Sequence, residues 1–218
     1  GQSVQQPRFA PNGMLHYISD ANGWWNIYDK SGCICQQACE FGLAMWSLGF
    51  STYEFLDNET IACVFQEKNL GGLGIIKDGD LTALDQPFTV IGSLSLHGRE
   101  MTYTASSPTA FTQVIVHNLD DHQQHSIKQT RDIKLDSGYL STPQTIEFPT
   151  AKNETAHGFF YPPQNKDFKA PAGALPPLIV FMHGGPTSAT HNALSLQTQF
   201  WTSRGFAIFD INYRGSTG

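Results

Sequence analysis

The residues best suited to chemistry in this chain lie at His183-Gly184-Gly185-Pro186. Two adjacent glycines reach backbone angles closed to other residues, so their N–H groups can turn toward a ligand, and Pro186 fixes the exit direction. Such a loop makes an anion site from main-chain donors alone. One anion that needs such donors is the oxygen charged during acyl transfer, a reaction that also needs a nucleophile and a base to take its proton. A serine nucleophile in this chemistry sits in G-x-S-x-G at a strand-to-helix turn. No serine here has that setting: Gly49-Phe50-Ser51-Thr52-Tyr53 lacks the second glycine, and Gly215-Ser216-Thr217-Gly218 has the wrong spacing. On its own the His-Gly-Gly stretch also reads as a strand end followed by a tight turn.

The surrounding elements decide between these readings. Residues 178–182 form a continuous apolar run, the pattern of a strand buried on both faces of a parallel sheet. Between residues 187 and 204, Ala193, Leu196, Phe200 and Trp201 recur at helical spacing, with Thr187, Ser188 or Thr190 as N-cap and Arg204-Gly205 as the end. A second buried strand, 206–211, runs into Asn212-Tyr213-Arg214-Gly215. Together they make a βαβ unit. Upstream, residues 144–149 and 156–161 alternate around the polar turn Lys152-Asn153-Glu154, as an antiparallel hairpin at a sheet edge does. Residues 162–177, rich in Pro, Lys and Asp, read as a surface loop.

Three of these segments resemble the opening of the catalytic domain in the prolyl oligopeptidase family of serine peptidases, most closely its acylaminoacyl-peptidase and dipeptidyl-aminopeptidase branch. They are His183-Gly184-Gly185-Pro186, Phe200-Trp201-Thr202-Ser203-Arg204-Gly205-Phe206 and Asn212-Tyr213-Arg214-Gly215-Ser216-Thr217-Gly218. Gln144-Thr145-Ile146-Glu147-Phe148-Pro149-Thr150, Ala156-His157-Gly158 and Tyr161-Pro162-Pro163 extend the likeness upstream. The resemblance implies a β-propeller followed by an α/β-hydrolase domain. It implies the N–H of Gly185 as oxyanion donor, with Gly184 permitting the turn. His183 falls where other branches place an oxyanion-binding tyrosine. The serine, aspartate and histidine of the triad are expected beyond residue 218, so none of the eight histidines here is read as the catalytic base. Tyr213 and Arg214 are expected to shape the site from below.

A propeller upstream would show as a repeat, and one is present. Turns at Pro11-Asn12-Gly13, Asp57-Asn58-Glu59 and His97-Gly98-Arg99 each lead into a β-rich strand, at 14–19, 60–65 and 100–105. A further strand follows in each unit, at 25–28, 73–76 and 114–117. The offsets, roughly 46 and then 40 residues, sit in the range of propeller blades. Residues 33–37, 50–56, 81–84, 89–96 and 124–128 supply the other strands, and helical periodicity is absent from this half. Residues 1–135 therefore read as about three blades of a β-propeller and 136–218 as the first half of an α/β-hydrolase domain, a mainly β plus α/β fold class. Tyr139-Leu140-Ser141-Thr142-Pro143 reads as the linker. Trp24 and Trp25 read as packing between sheets rather than as a channel lining.

Composition narrows the function classes. The chain has 218 residues with net charge −6 and no Lys/Arg-rich run, which argues against a nucleic-acid or anionic-membrane surface. No apolar run approaches the roughly 20 residues that span a bilayer. The first residue is Gly1 and the last lies in a glycine-rich loop, so both ends read as cut and localisation stays open, the cytoplasm being favoured. Of four cysteines, Cys33 and Cys35 would share one strand face, but with Cys39 and Cys63 their spacing does not match a zinc site, and neither metal nor cofactor is expected. His122 and His125 decorate a polar turn. Asn58-Glu59-Thr60 and Asn153-Glu154-Thr155 match the glycosylation acceptor pattern.

The reading is therefore a middle portion of a serine peptidase acting on short peptides, inactive alone, with Gly185, Gly184 and His183 as its oxyanion loop. Two alternatives stand beside it: a non-catalytic propeller that binds or scaffolds, and an esterase on the same fold. The strand at 178–182 is expected to lack neighbours that would cover it.

Overall fold

The computed structural model describes every residue except Met45, Ser47, Pro186 and Gly218, so the exit role given to Pro186 lies outside the described residues. The described residues are mostly β-sheet, in four four-stranded sheets. It divides into two compact units, one of Gly1–Ala105 with Gln113–Gln129 and the other of Ser106–Thr112 with Thr130–Thr217.

Over residues 4–129 the expected rhythm of turn and strand is realised three times. The first sheet has β1 (Val4–Phe9), β2 (Leu15–Ser19), β3 (Asn26–Asp29) and β4 (Gly32–Cys33) in sequence order, all antiparallel. The second has β5 (Tyr53–Phe55), β6 (Thr60–Glu67), β7 (Leu70–Lys77) and β8 (Asp80–Leu84), again antiparallel. The third has β9 (Val90–His97), β10 (Glu100–Ser107), β11 (Ala110–Asn118) and β12 (Gln124–Gln129) in the same order.

Why three sheets hold together is clearest in β6. Side chains alternate faces along a strand, and here Ile61 and Cys63 enter a core shared with Ile18, Ile27 and Phe41 of the first sheet and its following loop. Ala62 and Val64, on the other face, enter a core with Leu94, Met101, Tyr103 and Ile115 of the third sheet. A central blade of this kind is apolar on both faces because it has a neighbour on each. Trp25 packs against the first of these cores as expected, whereas Trp24 is 38% exposed.

Two details of the blade reading are corrected. The strand β1 is absent from it, because Gln5-Gln6-Pro7 carries little β signal, and the pairing there is broken by a bulge with Gln6 at φ 49°. Secondly, β4 is only two residues long, so Cys35 lies beyond it and shares no strand face with Cys33. Cys35, Cys39 and Cys63 are buried in the first inter-sheet core, Cys33 is half-buried, and all four are free thiols.

In the second unit, β13 (Gln144–Pro149) and β14 (Thr155–Tyr161) form the expected antiparallel hairpin. They continue into β16 (Ala207–Asn212) and then β15 (Leu178–Met182), giving the order β13-β14-β16-β15. Strands β15 and β16 are parallel, with Leu178 opposite Ala207 and Met182 opposite Ile211. Helix α1 (Leu196–Thr202) lies between them in sequence, and Phe159, Tyr161, Ile208, Ile179, Phe181 and Trp201 make the core of this unit.

Two expectations fail here for physical reasons. Strand β15 is not buried on both faces: Leu178, Val180 and Met182 are 55%, 52% and 71% exposed, because β15 is the edge of the sheet and only its other face is covered. This matches the expectation that the strand would lack covering neighbours. The helix is also far shorter than residues 187–204. Thr190 is held by β16, its N–H donating to Asn212 Oδ1 at 2.7 Å and its hydroxyl to Asp210, while Thr217 N–H donates to Ser188 O at 2.9 Å. Those bonds keep the segment out of a helix until Ser195, whose hydroxyl accepts from Thr198 N–H as the N-cap. Phe200 is 48% exposed beneath the Arg204 guanidinium, so the apolar stripe is only partly a core face.

Candidate oxyanion loop

Parallel strands finish at the same edge of a sheet, so the segments after β15 and β16 emerge side by side. The first carries His183, Gly184 and Gly185 and the second Tyr213 to Thr217. The rings of His183 and Tyr213 stack with centroids 4.3 Å apart and an interplanar angle of 17°. The Tyr213 hydroxyl lies 3.1 Å from the carbonyl oxygen of Gly185 and 3.3 Å from both the carbonyl oxygen and Nδ1 of His183. On the other side of the imidazole, Nε2 is 2.7 Å from Ser216 Oγ. That hydroxyl donates to Tyr213 O over 2.6 Å, and with its proton so placed it accepts from Nε2–H.

Gly185 has φ +75°, a conformation that L side chains rarely adopt, so it is here and not at Gly184 that the turn requires glycine. A Cβ built on either glycine meets nothing within 4 Å. Both residues are exposed, and among the described residues neither N–H is taken by a hydrogen bond. The loop thus presents two free main-chain donors to open space, which is what a developing oxyanion needs.

Behind this loop Asp210 accepts from the Thr190 hydroxyl. Burial pushes its carboxyl above the usual aspartate range, offset in part by that bond and by the nearby imidazoles of His183 and His191. The sequence assigns Asp210 no role and sets Ser216 aside as a nucleophile by its spacing. The period-2 rule in β16 puts Ile208, Asp210 and Asn212 on one face, a signal that could have marked the aspartate. Ser216 had no such signal, since its partner lies 33 residues away.

Arg214 does not reach the loop. Its Nε pairs with Glu154 from the β13–β14 turn, and the two line an open cleft with Asn153, Thr155 and Gly215. Each side chain is nearly half exposed, so the pair contributes little to stability. His122 and His125 are exposed, at the β11–β12 turn and in β12, with His122 at φ 58°.

Comparison with known proteins finds peptidases and hydrolases. Dipeptidyl aminopeptidase BIII from Pseudoxanthomonas mexicana is 30% identical over 87 residues, 39% of this chain and 13% of that protein. A solved puromycin hydrolase is 32% identical and superposes on all of the chain with a TM-score of 0.91, the chain covering 34% of it. A mutant of puromycin hydrolase has also been solved complexed with PGG. The puromycin-hydrolyzing peptidase of Mycobacterium tuberculosis is 29% identical with a TM-score of 0.93 over 99% of this chain and 35% of that one. No family model matches the chain. Its structural neighbours are puromycin hydrolases and peptidases of the prolyl oligopeptidase family, and the chain spans about a third of the solved relatives and less of the curated one.

Proposed function

We propose that this chain is the middle portion of a serine peptidase that hydrolyses short peptides, removing acylaminoacyl or dipeptidyl units. In this reading residues 1–135 are propeller blades that restrict access to the site. Residues 136–218 are the first half of an α/β-hydrolase domain, for which the strand order β13-β14-β16-β15 is the support. Gly185, with Gly184, supplies main-chain donors to the oxyanion, and the serine, aspartate and histidine come from outside residues 1–218. The observation that carries the reading is the pair of unbonded N–H groups at the C-terminal end of a parallel strand, where α/β-hydrolases place one half of the oxyanion hole. A peptide ligand on a relative, PGG, supports peptide as the substrate class.

The experiment is to assay the 218-residue chain and the longest protein that contains it with dipeptidyl and acylaminoacyl anilides, simple esters and a fluorophosphonate. Peptide turnover and labelling by the longer protein, with none by the chain alone, are expected. Labelling of the chain alone refutes an external nucleophile. Turnover of esters without peptides selects an esterase, and inertness of the longer protein selects a binding propeller.

A further inference from the structure

We propose that His183, Tyr213 and Ser216 form a latch that sets the peptide planes of Gly184 and Gly185, so that His183 positions the oxyanion donors and is not itself one. The proposal rests on the reading of those two N–H groups as oxyanion donors. In a trans peptide the carbonyl of one residue and the N–H of the next point in opposite directions within one plane. The Tyr213 hydroxyl beside the carbonyl of His183, at 3.3 Å, therefore turns the N–H of Gly184 away from Tyr213. One peptide further, the carbonyl of Gly184 lies 3.2 Å from His183 Nδ1, so the N–H of Gly185 faces away from the imidazole; with the proton on Nε2 this is a contact and not a hydrogen bond. The one Tyr213 hydroxyl proton is shared between the carbonyl of His183 and that of Gly185, 3.1 Å away, which closes the turn.

The imidazole has no freedom left to act on a substrate. One face is covered by the Tyr213 ring, Nε2 is engaged by Ser216, and Nδ1 is surrounded by the Gly184 carbonyl and the Tyr213 hydroxyl. Ser216 is itself anchored to Tyr213 through both its N–H, 3.0 Å, and its hydroxyl, 2.6 Å, from the same carbonyl oxygen. The next residue, Thr217, ties back to Ser188 at 2.9 Å. Two loops that would otherwise move separately are thereby one body, with the two glycines as its exposed rim. Glycine at both positions leaves the rim open to an incoming carbonyl, but on its own it gives no rigidity. Stiffness has to come from the side chains behind it.

The test uses Tyr213→Phe, which keeps the ring stack and removes the hydroxyl, and Ser216→Ala as a second variant. In the 15N-labelled 218-residue chain, backbone order parameters at Gly184 and Gly185 are expected near ~0.85 and to fall below ~0.6 in either variant. Those of β15 and β16 should stay unchanged. In the longer protein, the same variants are expected to lower kcat roughly 10- to 100-fold, the scale of a misplaced or lost oxyanion donor, with KM within about twofold. His183→Gln, which retains an amide donor toward Ser216, should recover part of what His183→Ala loses. Unchanged order parameters overturn the latch whatever the activity. A fall in order with kcat intact also overturns it, because the peptide planes would then serve no step. A fall in order in a protein that turns over nothing supports the latch while removing the peptidase reading.

Discussion

The hydroxyl of Tyr53 donates to the main-chain carbonyl of Gln6 across 2.8 Å, joining β5 of the second blade to the bulge in β1 of the first. The Gln6 side chain returns the contact, its Oε1 accepting from Thr52 N–H at 2.9 Å. Tyr53 is fully buried and its hydroxyl has no water to turn to, which holds its ionisation well above the usual tyrosine range. Tyr53→Phe should leave the Gln6 carbonyl without this partner at a residue already in the left-handed region. A loss of about 1–3 kcal/mol is expected from denaturant unfolding, with the near-UV spectrum of the remaining aromatics retained.

Gln199 plays a comparable part in the second unit. Its Oε1 accepts from Ser141 N–H at 2.7 Å and its Nε2 donates to Ser141 O at 3.0 Å, all of it buried. Gln199→Leu keeps the volume and orphans both main-chain groups of Ser141. Unfolding by urea should show a loss of at least about 2 kcal/mol, whereas Phe200→Ala, at a half-exposed position of the same helix, should cost clearly less.

The thiols should separate by burial. Cys39 is pushed up to about 12 and Cys63 well above its usual value, chiefly by desolvation, and Cys35 is raised for the same reason. Only thiolate is nucleophilic. With Ellman's reagent at pH 8 the native chain is expected to release at most one equivalent quickly, from half-buried Cys33, and four after denaturation. Rapid release of two or more from the folded chain contradicts the burial of this cluster.

Asp210 gives a pH dependence of definite sign. Desolvation raises its carboxyl above the ordinary 3.8 in the folded chain, so the folded state holds a proton that the unfolded state has released. Stability must then fall as pH rises from about the ordinary value through the raised folded one. Asp210→Asn removes that slope while keeping an acceptor for Thr190. The stability difference between the variant and the parent should grow in favour of the variant over this interval and stay flat above it, as read from urea midpoints at successive pH values.

What could be read from the sequence follows the range of the forces involved. The blades were legible because alternation and turn residues are local, and residues 60–65 and 144–149 announce their strands without help from distant partners. The turn at His183-Gly184-Gly185 was legible for the same reason. The sequence pattern makes the helix too long because Ala193, Leu196, Phe200 and Trp201 keep helical spacing, while Asp210 and Asn212, about twenty residues on, hold Thr190 in another conformation. The latch was hidden since stacking of His183 on Tyr213 and the bond to Ser216 are contacts across two strand ends. Strand β15 misled in a different way: an unbroken apolar run states that a face wants cover, not that it has it.

That exposed strand also sets a timetable for synthesis. Each blade pairs neighbours that are close in sequence and can close soon after it is made. Strand β15 ends at Met182 and its partner among the described residues begins at Ala207, 25 residues later, a wait of roughly 1–5 s at ordinary ribosomal rates. Through that interval Leu178, Val180 and Met182 stand with neither ladder nor cover. The segment with the most to lose from meeting another nascent chain is therefore the one left single the longest, and it is there that a chaperone would be expected to bind.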